Sequence, residues 1–222
     1  MKDFIKKIPG IRFIVRMGYY GFVELFNLFP GSKEYWENRY DLGGASGQGS
    51  YDELAQFKAD IINRFVQKEN IETIIEYGCG DGNQLKMADY PSYIGFDISA
   101  EALSRCKNIF SNDPTKTFKF MKEYEGETAQ LTLSLDVIYH LIEDEVYHRY
   151  MKRLFDSSTQ YVIIYSSNTS KQKLLQMKHV KHRKFSDWIG ENRPEWEQIK
   201  KIETSNKTFA DFFIYKKEES EQ

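Results

Sequence analysis

Ile74-Ile75-Glu76-Tyr77-Gly78-Cys79-Gly80-Asp81-Gly82-Asn83 is the stretch on which the fold turns. A β-branched run closes on an acid, and three alternate glycines follow. Glycine accepts φ > 0 and has no Cβ, so such a loop lets backbone N–H groups approach a ligand closely. The spacing is G-x-G-x-G, with Asn83 where the dinucleotide fingerprint G-x-G-x-x-G places its third glycine. That pattern favours a nucleoside held by loop and carboxylates over a pyrophosphate seated on a helix N-terminus.

Downstream, apolar runs alternate with helical periodicity. Tyr93–Asp97 reads as a second strand ending in an acid, and Asp97 follows Glu76 at the distance of a ribose-binding carboxylate. Ser99 caps a helix carrying Ala102, Leu103, Cys106 and Ile109. Strands are expected at Thr117–Met121, Leu131–Ile138 and Tyr161–Tyr165, with a helix over Glu143–Phe155. A short helix over Phe185–Glu191 and two late strands, Glu197–Ile202 and Phe209–Lys216, close the chain before a polar 217–222 tail. This alternation predicts an α/β sheet, whose ligands bind outside the strand carboxyl ends. Glu76, the 78–82 loop, Asp97, Glu123, Asp136 and His140 all fall there.

Upstream, Ser50 and Glu53 have capping-box spacing, and Leu54, Phe57, Ile61, Ile62, Phe65 and Val66 form a core stripe to about residue 68. A short helix is expected from Asn83 to Met87. Residues 35–50 combine Trp36, Arg39 and Tyr40 with Gly43, Gly44, Gly47 and Gly49, which reads as a lid loop that orders on a ligand. Residues 1–34 form an amphipathic segment, basic and apolar, interrupted by Arg12, Arg16 and Glu24. It has no signal-peptide h-region and no transmembrane run. Its first 30 residues suit a membrane surface, a second copy of the chain or their own domain.

The composition agrees with one globular domain over 51–216: 222 residues, 41% hydrophobic, 15% aromatic. A formal net charge of -2 carries no signature of nucleic-acid binding. Cys79 and Cys106 have no metal-like spacing and read as reduced, in a cytoplasmic protein. His140, His148, His179 and His182 match no metal motif, so no metal is expected.

Glu76–Gly82, the acid Asp97 and the run Leu133–His140 together resemble the class I S-adenosylmethionine-dependent methyltransferases over about residues 70–216. The resemblance implies a Rossmann-like, seven-stranded, mostly parallel sheet in the order 3-2-1-4-5-7-6, with helices on both faces and the final strand antiparallel. Trp36-Glu37-x-Arg39-Tyr40-x-x-Gly43-Gly44-x-Ser46-Gly47-x-Gly49-Ser50 is similar to a lead-in of methyltransferases encoded with bacterial capsule and surface-polysaccharide genes. Some of those belong to pathways building the O-methyl phosphoramidate of Campylobacter capsules.

The resemblance implies S-adenosylmethionine as cofactor and S-adenosylhomocysteine as product. Gly78, Cys79 and Gly80 would pack on the methionine part, Asp97 and Ile98 on the ribose, and Glu123 and Tyr124 near adenine. Arg39 would pair with the cofactor carboxylate, with Glu76 and Asp136 as further contacts. His140 is the candidate base, against a packing role, with Asp136 orienting it and Tyr139 facing substrate. Tyr40, Ser46, Tyr139 and His140 are candidate substrate contacts. His182 and Arg183, in a basic run from Lys171 to Lys184, are nominated for an anionic phosphate or phosphoramidate acceptor, against a solvated-face reading. The partner is therefore a small or sugar-linked acceptor. Two other readings stay open: a nucleotide-dependent oxidoreductase, and a non-catalytic cofactor-binding subunit of glycan assembly.

Overall fold

The structure is a computed structural model that describes residues 29–174, 176–204 and 208–218. The amphipathic segment expected over 1–34 lies outside them up to residue 28, as does the tail beyond residue 218.

Helix α1 (Ser32–Asp41) comes first, then α2 (Asp52–Lys68) and β1 (Thr73–Tyr77). Strand β2 (Ser92–Asp97), α3 (Ala100–Ile109), β3 (Lys116–Phe120) and β4 (Ala129–Leu135) follow. Next come α4 (Asp144–Asp156), β5 (Ser158–Ser166), α5 (Phe185–Asn192), β6 (Trp196–Ile202) and β7 (Asp211–Lys217). The seven strands form one sheet in the order β3-β2-β1-β4-β5-β7-β6. Pairing is parallel from β3 through β5, whereas β7 runs antiparallel between β5 and β6. The expected topology is therefore observed.

Alternation along the strands builds two cores. Ile74, Leu131, Leu133, Ile163, Phe212 and Ile214 face Ile62 and Val66 of α2 and Leu103 of α3. Their neighbours Ile75, Val162, Ile164, Phe213 and Tyr215 face Met151, Leu154 and Phe155 of α4 and Ile189 of α5. Each fully buried side chain of this size is worth roughly 1.5–3 kcal/mol of transfer free energy, so the sheet is clamped from both sides. Polar ties add register: Tyr150 OH donates to the Tyr77 carbonyl at 3.0 Å and lies 2.7 Å from Ser134 Oγ.

Four local expectations change. Residues 35–41, read as part of a loop, lie in α1. Its N-terminus is held from afar: Ser32 N and Oγ both donate to the Glu143 carboxylate, at 2.8 and 2.6 Å. The Ser50 capping box does not form, because Ser50 ends a 3-10 turn over Gln48–Ser50 and Tyr51 takes the N-cap position without a side-chain bond. The Asn83–Met87 helix is a 3-10 turn, Gln84–Met87. Strand β4 stops at Leu135, because Asp136 turns to φ 60 and the chain enters a 3-10 turn over Ile138–His140. Ser99 caps α3 as expected, accepting from Ala102 N at 3.2 Å.

Candidate functional site

The carboxyl ends of β1, β2, β3 and β4 open into one cavity of about 940 Å³. Its wall runs from Phe120, Met121 and Lys122, past Asp97 and Ile98, across Gly78–Gly80, to Asp136, Tyr139 and His140. Residues 46–50 and Trp36 cover it from the α1 side. The strand-end residues singled out in the sequence, Glu123 excepted, are thus gathered by the sheet itself.

The glycines serve packing as much as ligand approach. Gly78 has φ 85, and a Cβ there would meet Val137 Cγ2 at 2.6 Å. Gly80 has φ 60, and a Cβ would collide with Ser46 Oγ. Their absent side chains let the β4 loop and the 46–50 segment close on the glycine loop.

That closure is fastened by Asp81. Its carboxylate accepts from Ser46 N at 3.0 Å, Ser46 Oγ at 3.0 Å, Tyr51 OH at 2.7 Å and Asn83 N at 3.3 Å. Asn83 Nδ2 donates to the Ser50 carbonyl at 2.8 Å, and Arg105 donates to the Gly44 and Tyr40 carbonyls. Tyr40 OH lies 2.8 Å from Ser46 Oγ.

Asp97 is buried and accepts from Gly80 N and Ser99 N, each at 2.9 Å. Burial raises its pKa, and those amide donors pull the other way. Glu76 is buried too and accepts from Tyr93 OH at 2.6 Å. Burial pushes its carboxyl up to about 7, against the Tyr93 bond and the nearby Lys58 charge.

Lys58 was not foreseen. It reaches from α2 to the cavity wall, is 1% exposed, and places Nζ 2.6 Å from Asp136 Oδ2. The other oxygen, Oδ1, accepts from Tyr139 OH at 2.6 Å. The one signal in the sequence is a lysine within the buried stripe, between Phe57 and Ile61.

His140 lies on the wall with Nδ1 2.8 Å from the His179 carbonyl. A carbonyl only accepts, so Nδ1 carries the proton and Nε2 keeps a lone pair. Burial pushes the imidazole pKa down to about 4, so the ring is neutral at pH 7. The group orienting it is therefore the His179 carbonyl. Asp136, expected in that role, is committed to Lys58 and Tyr139. Trp36 and Tyr139 set their ring centroids 4.8 and 4.5 Å from the His140 ring.

Other nominated residues are drawn elsewhere. Arg39 donates to the Ala45 carbonyl at 2.7 Å, 5.3 Å from the Trp36 ring, and is not on the cavity wall. Glu123 caps its own turn through Phe120 N, and Tyr124 packs on Tyr77 and Phe96, leaving the wall to residues 120–122. His182 bonds Ser167 Oγ at 2.7 Å. Arg183 bonds the Leu141 and Ile142 carbonyls and pairs with Asp144 at 2.7 Å, beside Lys181 on the same acid. The basic run is therefore partly neutralised at the start of α4. Among the described residues no group of His, Cys, Asp and Glu is gathered to hold a metal, and no helix is long and apolar enough to cross a membrane.

The sequence matches no protein-family model and no curated protein. Solved structures do match. The chain is similar to the N-methyltransferase NodS from Bradyrhizobium japonicum WM9 in complex with S-adenosyl-L-homocysteine, at 10% identity over 85% of this chain and 100% of that one, with TM-score 0.66. It is similar to magnesium protoporphyrin IX methyltransferase from Synechocystis PCC 6803 with bound SAM, at 13% identity over 85% and 98% of the two chains, with TM-score 0.61. A third is an S-adenosylmethionine-dependent methyltransferase from Clostridium acetobutylicum ATCC 824, at 13% identity, 76% and 93% coverage and TM-score 0.56. At such identities the likeness is one of fold.

Proposed function

We propose that the protein is an S-adenosylmethionine-dependent methyltransferase that acts on an oxygen of a small, sugar-linked acceptor in surface-polysaccharide assembly. The carrying observation is the continuous cavity from Asp97, across the glycine loop, to His140. Its donor set fits the cofactor: the Asp97 carboxylate at the end of β2, bare main chain at Gly78–Gly80, and the Glu76 carboxyl at the end of β1. Gln84, also on the wall, has an Oε1 without a hydrogen-bond partner among the described residues.

When bound, the cofactor supplies an electrophilic methyl group. The chain's own residues supply the rest. Asp97 holds the ribose side, and the 46–50 segment latched by Asp81 excludes water. Neutral His140 offers Nε2 as proton acceptor for the entering hydroxyl. Its low pKa makes it a weak base, suited to a proton that leaves late in the transfer.

The capsule assignment rests on the likeness of the 36–50 lead-in. Within that class a sugar hydroxyl is preferred to a phosphate or phosphoramidate oxygen because it brings a proton for His140 to accept; His182 and Arg183, the groups nominated for an anion, are engaged elsewhere, and the cations on the wall are Lys33, Lys58, Lys122, Arg149 and Arg153. Mass spectrometry of the source strain's surface polysaccharide, with and without the gene, reads the acceptor: loss of one methyl group from a sugar oxygen is expected.

Isothermal titration separates the cofactor readings. S-adenosylhomocysteine should bind and NAD should not, and Asp97→Ala should weaken the former by at least tenfold. Tight NAD binding would overturn the methyltransferase reading in favour of an oxidoreductase.

A further inference from the structure

Asp136 occupies a backbone region where glycine is the usual residue and Asp or Asn the usual exception. It has φ 60, the left-handed region that non-glycine residues enter seldom and at some energetic disadvantage. Both of its oxygens are in use: Oδ2 accepts from Lys58 Nζ and Oδ1 from Tyr139 OH, each at 2.6 Å. Gly49 of the cover lies so close that a Cβ there would come 2.7 Å from Oδ2. Behind the carboxylate, the Lys58 ammonium lies 5.2 Å from the Tyr165 ring centroid, and the side chain is 1% exposed. A buried lysine is retained only when paired, and removing one partner strands the other charge.

We propose that Lys58 is a positioning residue for the acceptor: through Asp136 it fixes the Tyr139 hydroxyl as a donor turned inward, so that Tyr139 and His140 present only lone pairs to the entering group. Tyr139 spends its one proton on Asp136, and His140 spends its Nδ1 proton on the His179 carbonyl. The two rings adjoin, with centroids 4.5 Å apart. A nucleophile entering beside them must bring its own proton, as a neutral hydroxyl does and a deprotonated phosphate oxygen does not. Burial and the Asp136 charge hold the Tyr139 hydroxyl protonated, far above its ordinary range.

This rests on the methyl-transfer reading for the identity of what enters, and on the geometry alone for the relay. Protein labelled with ¹³Cζ-tyrosine and ¹⁵N-lysine tests it, with Tyr139→Phe and Lys58→Arg assigning the two signals. In the wild type, the Lys58 ammonium protons should exchange at least tenfold more slowly than those of surface lysines. In Lys58→Met, the Tyr139 ¹³Cζ resonance should move, and Lys58→Arg should restore it. The loss of S-adenosylhomocysteine affinity in Lys58→Met should stay below tenfold. An unmoved Tyr139 resonance, no rescue by arginine, or a larger affinity loss would overturn the proposal, the last by making Lys58 a cofactor contact. Should Lys58→Met not fold, the exchange rate in the wild type decides, and fast exchange sinks the relay. Failure of the wild type to bind S-adenosylhomocysteine would remove the methyl-transfer reading while leaving the resonance test in force.

Discussion

At the scale of single residues, two groups on the cavity wall titrate in opposite senses. His140 has a folded pKa of about 4 against an ordinary 6.5, so between those values the unfolded chain binds more protons. Its contribution to stability is present above pH 6.5 and lost as pH falls toward 4. Glu76 is the reverse, with about 7 folded against an ordinary 4.5. Its contribution is present below 4.5 and lost as pH rises through 7. Glu76→Gln cannot ionise, so its melting temperature relative to wild type should climb between pH 5 and pH 8. Parallel melting curves across that range would contradict the raised value. The loop glycines belong to this scale too. Their spacing was visible in the sequence, but the sequence does not show that Val137 and Ser46 fill the space a side chain would need.

At the scale of elements, the unit that matters is the cover over the glycine loop. Its lead-in is α1 rather than loop, pinned at one end by Glu143 and at the other by Arg105. The 44–51 stretch is then fastened by one carboxylate. Burial alone would raise the Asp81 pKa, but its donors, Tyr51 and Ser46 foremost, outweigh that and hold it below the ordinary range. Asp81→Ala strips the latch from both sides. A loss of about 2 kcal/mol is expected from the charge-assisted bonds, a drop of about 4–8 °C in melting temperature for a chain of this size. Amide hydrogen exchange over residues 44–50 should accelerate at least tenfold. Protection equal to wild type there would mean that Arg105 and Arg39 hold the cover without Asp81.

At the scale of the whole molecule, the sheet carries helices on both faces, and the cavity opens along the carboxyl ends of its parallel strands. A ligand that binds this folded arrangement and not the unfolded chain stabilises it by mass action. S-adenosylhomocysteine at one hundred times its dissociation constant should add about 2.7 kcal/mol, and so raise the melting temperature by roughly 5–10 °C. NAD at the same concentration should leave it in place, and Asp97→Ala should cut the shift by about half or more. A scan with both ligands reads this without knowledge of the acceptor.

Periodicity and spacing along the chain were enough for the alternating strands and for the strand-end residues Glu76, Asp97, Asp136 and His140, whereas the strand order followed from the resemblance to class I methyltransferases. Those signals are local: alternation sets which side of a strand is buried, and a parallel sheet then carries the ends of its strands to one edge. Side-chain partners were not legible, because they are chosen across long separations. Lys58 and Asp136 stand 78 positions apart, His140 and the His179 carbonyl 39, and Ser46 and Asp81 35. Arg39, Glu123, His182 and Arg183 had suitable chemistry, and nearer carbonyls, amides and acids claimed it first. The sequence determined which residues reach the carboxyl edge of the sheet. Only the tertiary structure decided which hydrogen-bonding groups remain open beside it, because each donor or acceptor is free only after folding has assigned its neighbours.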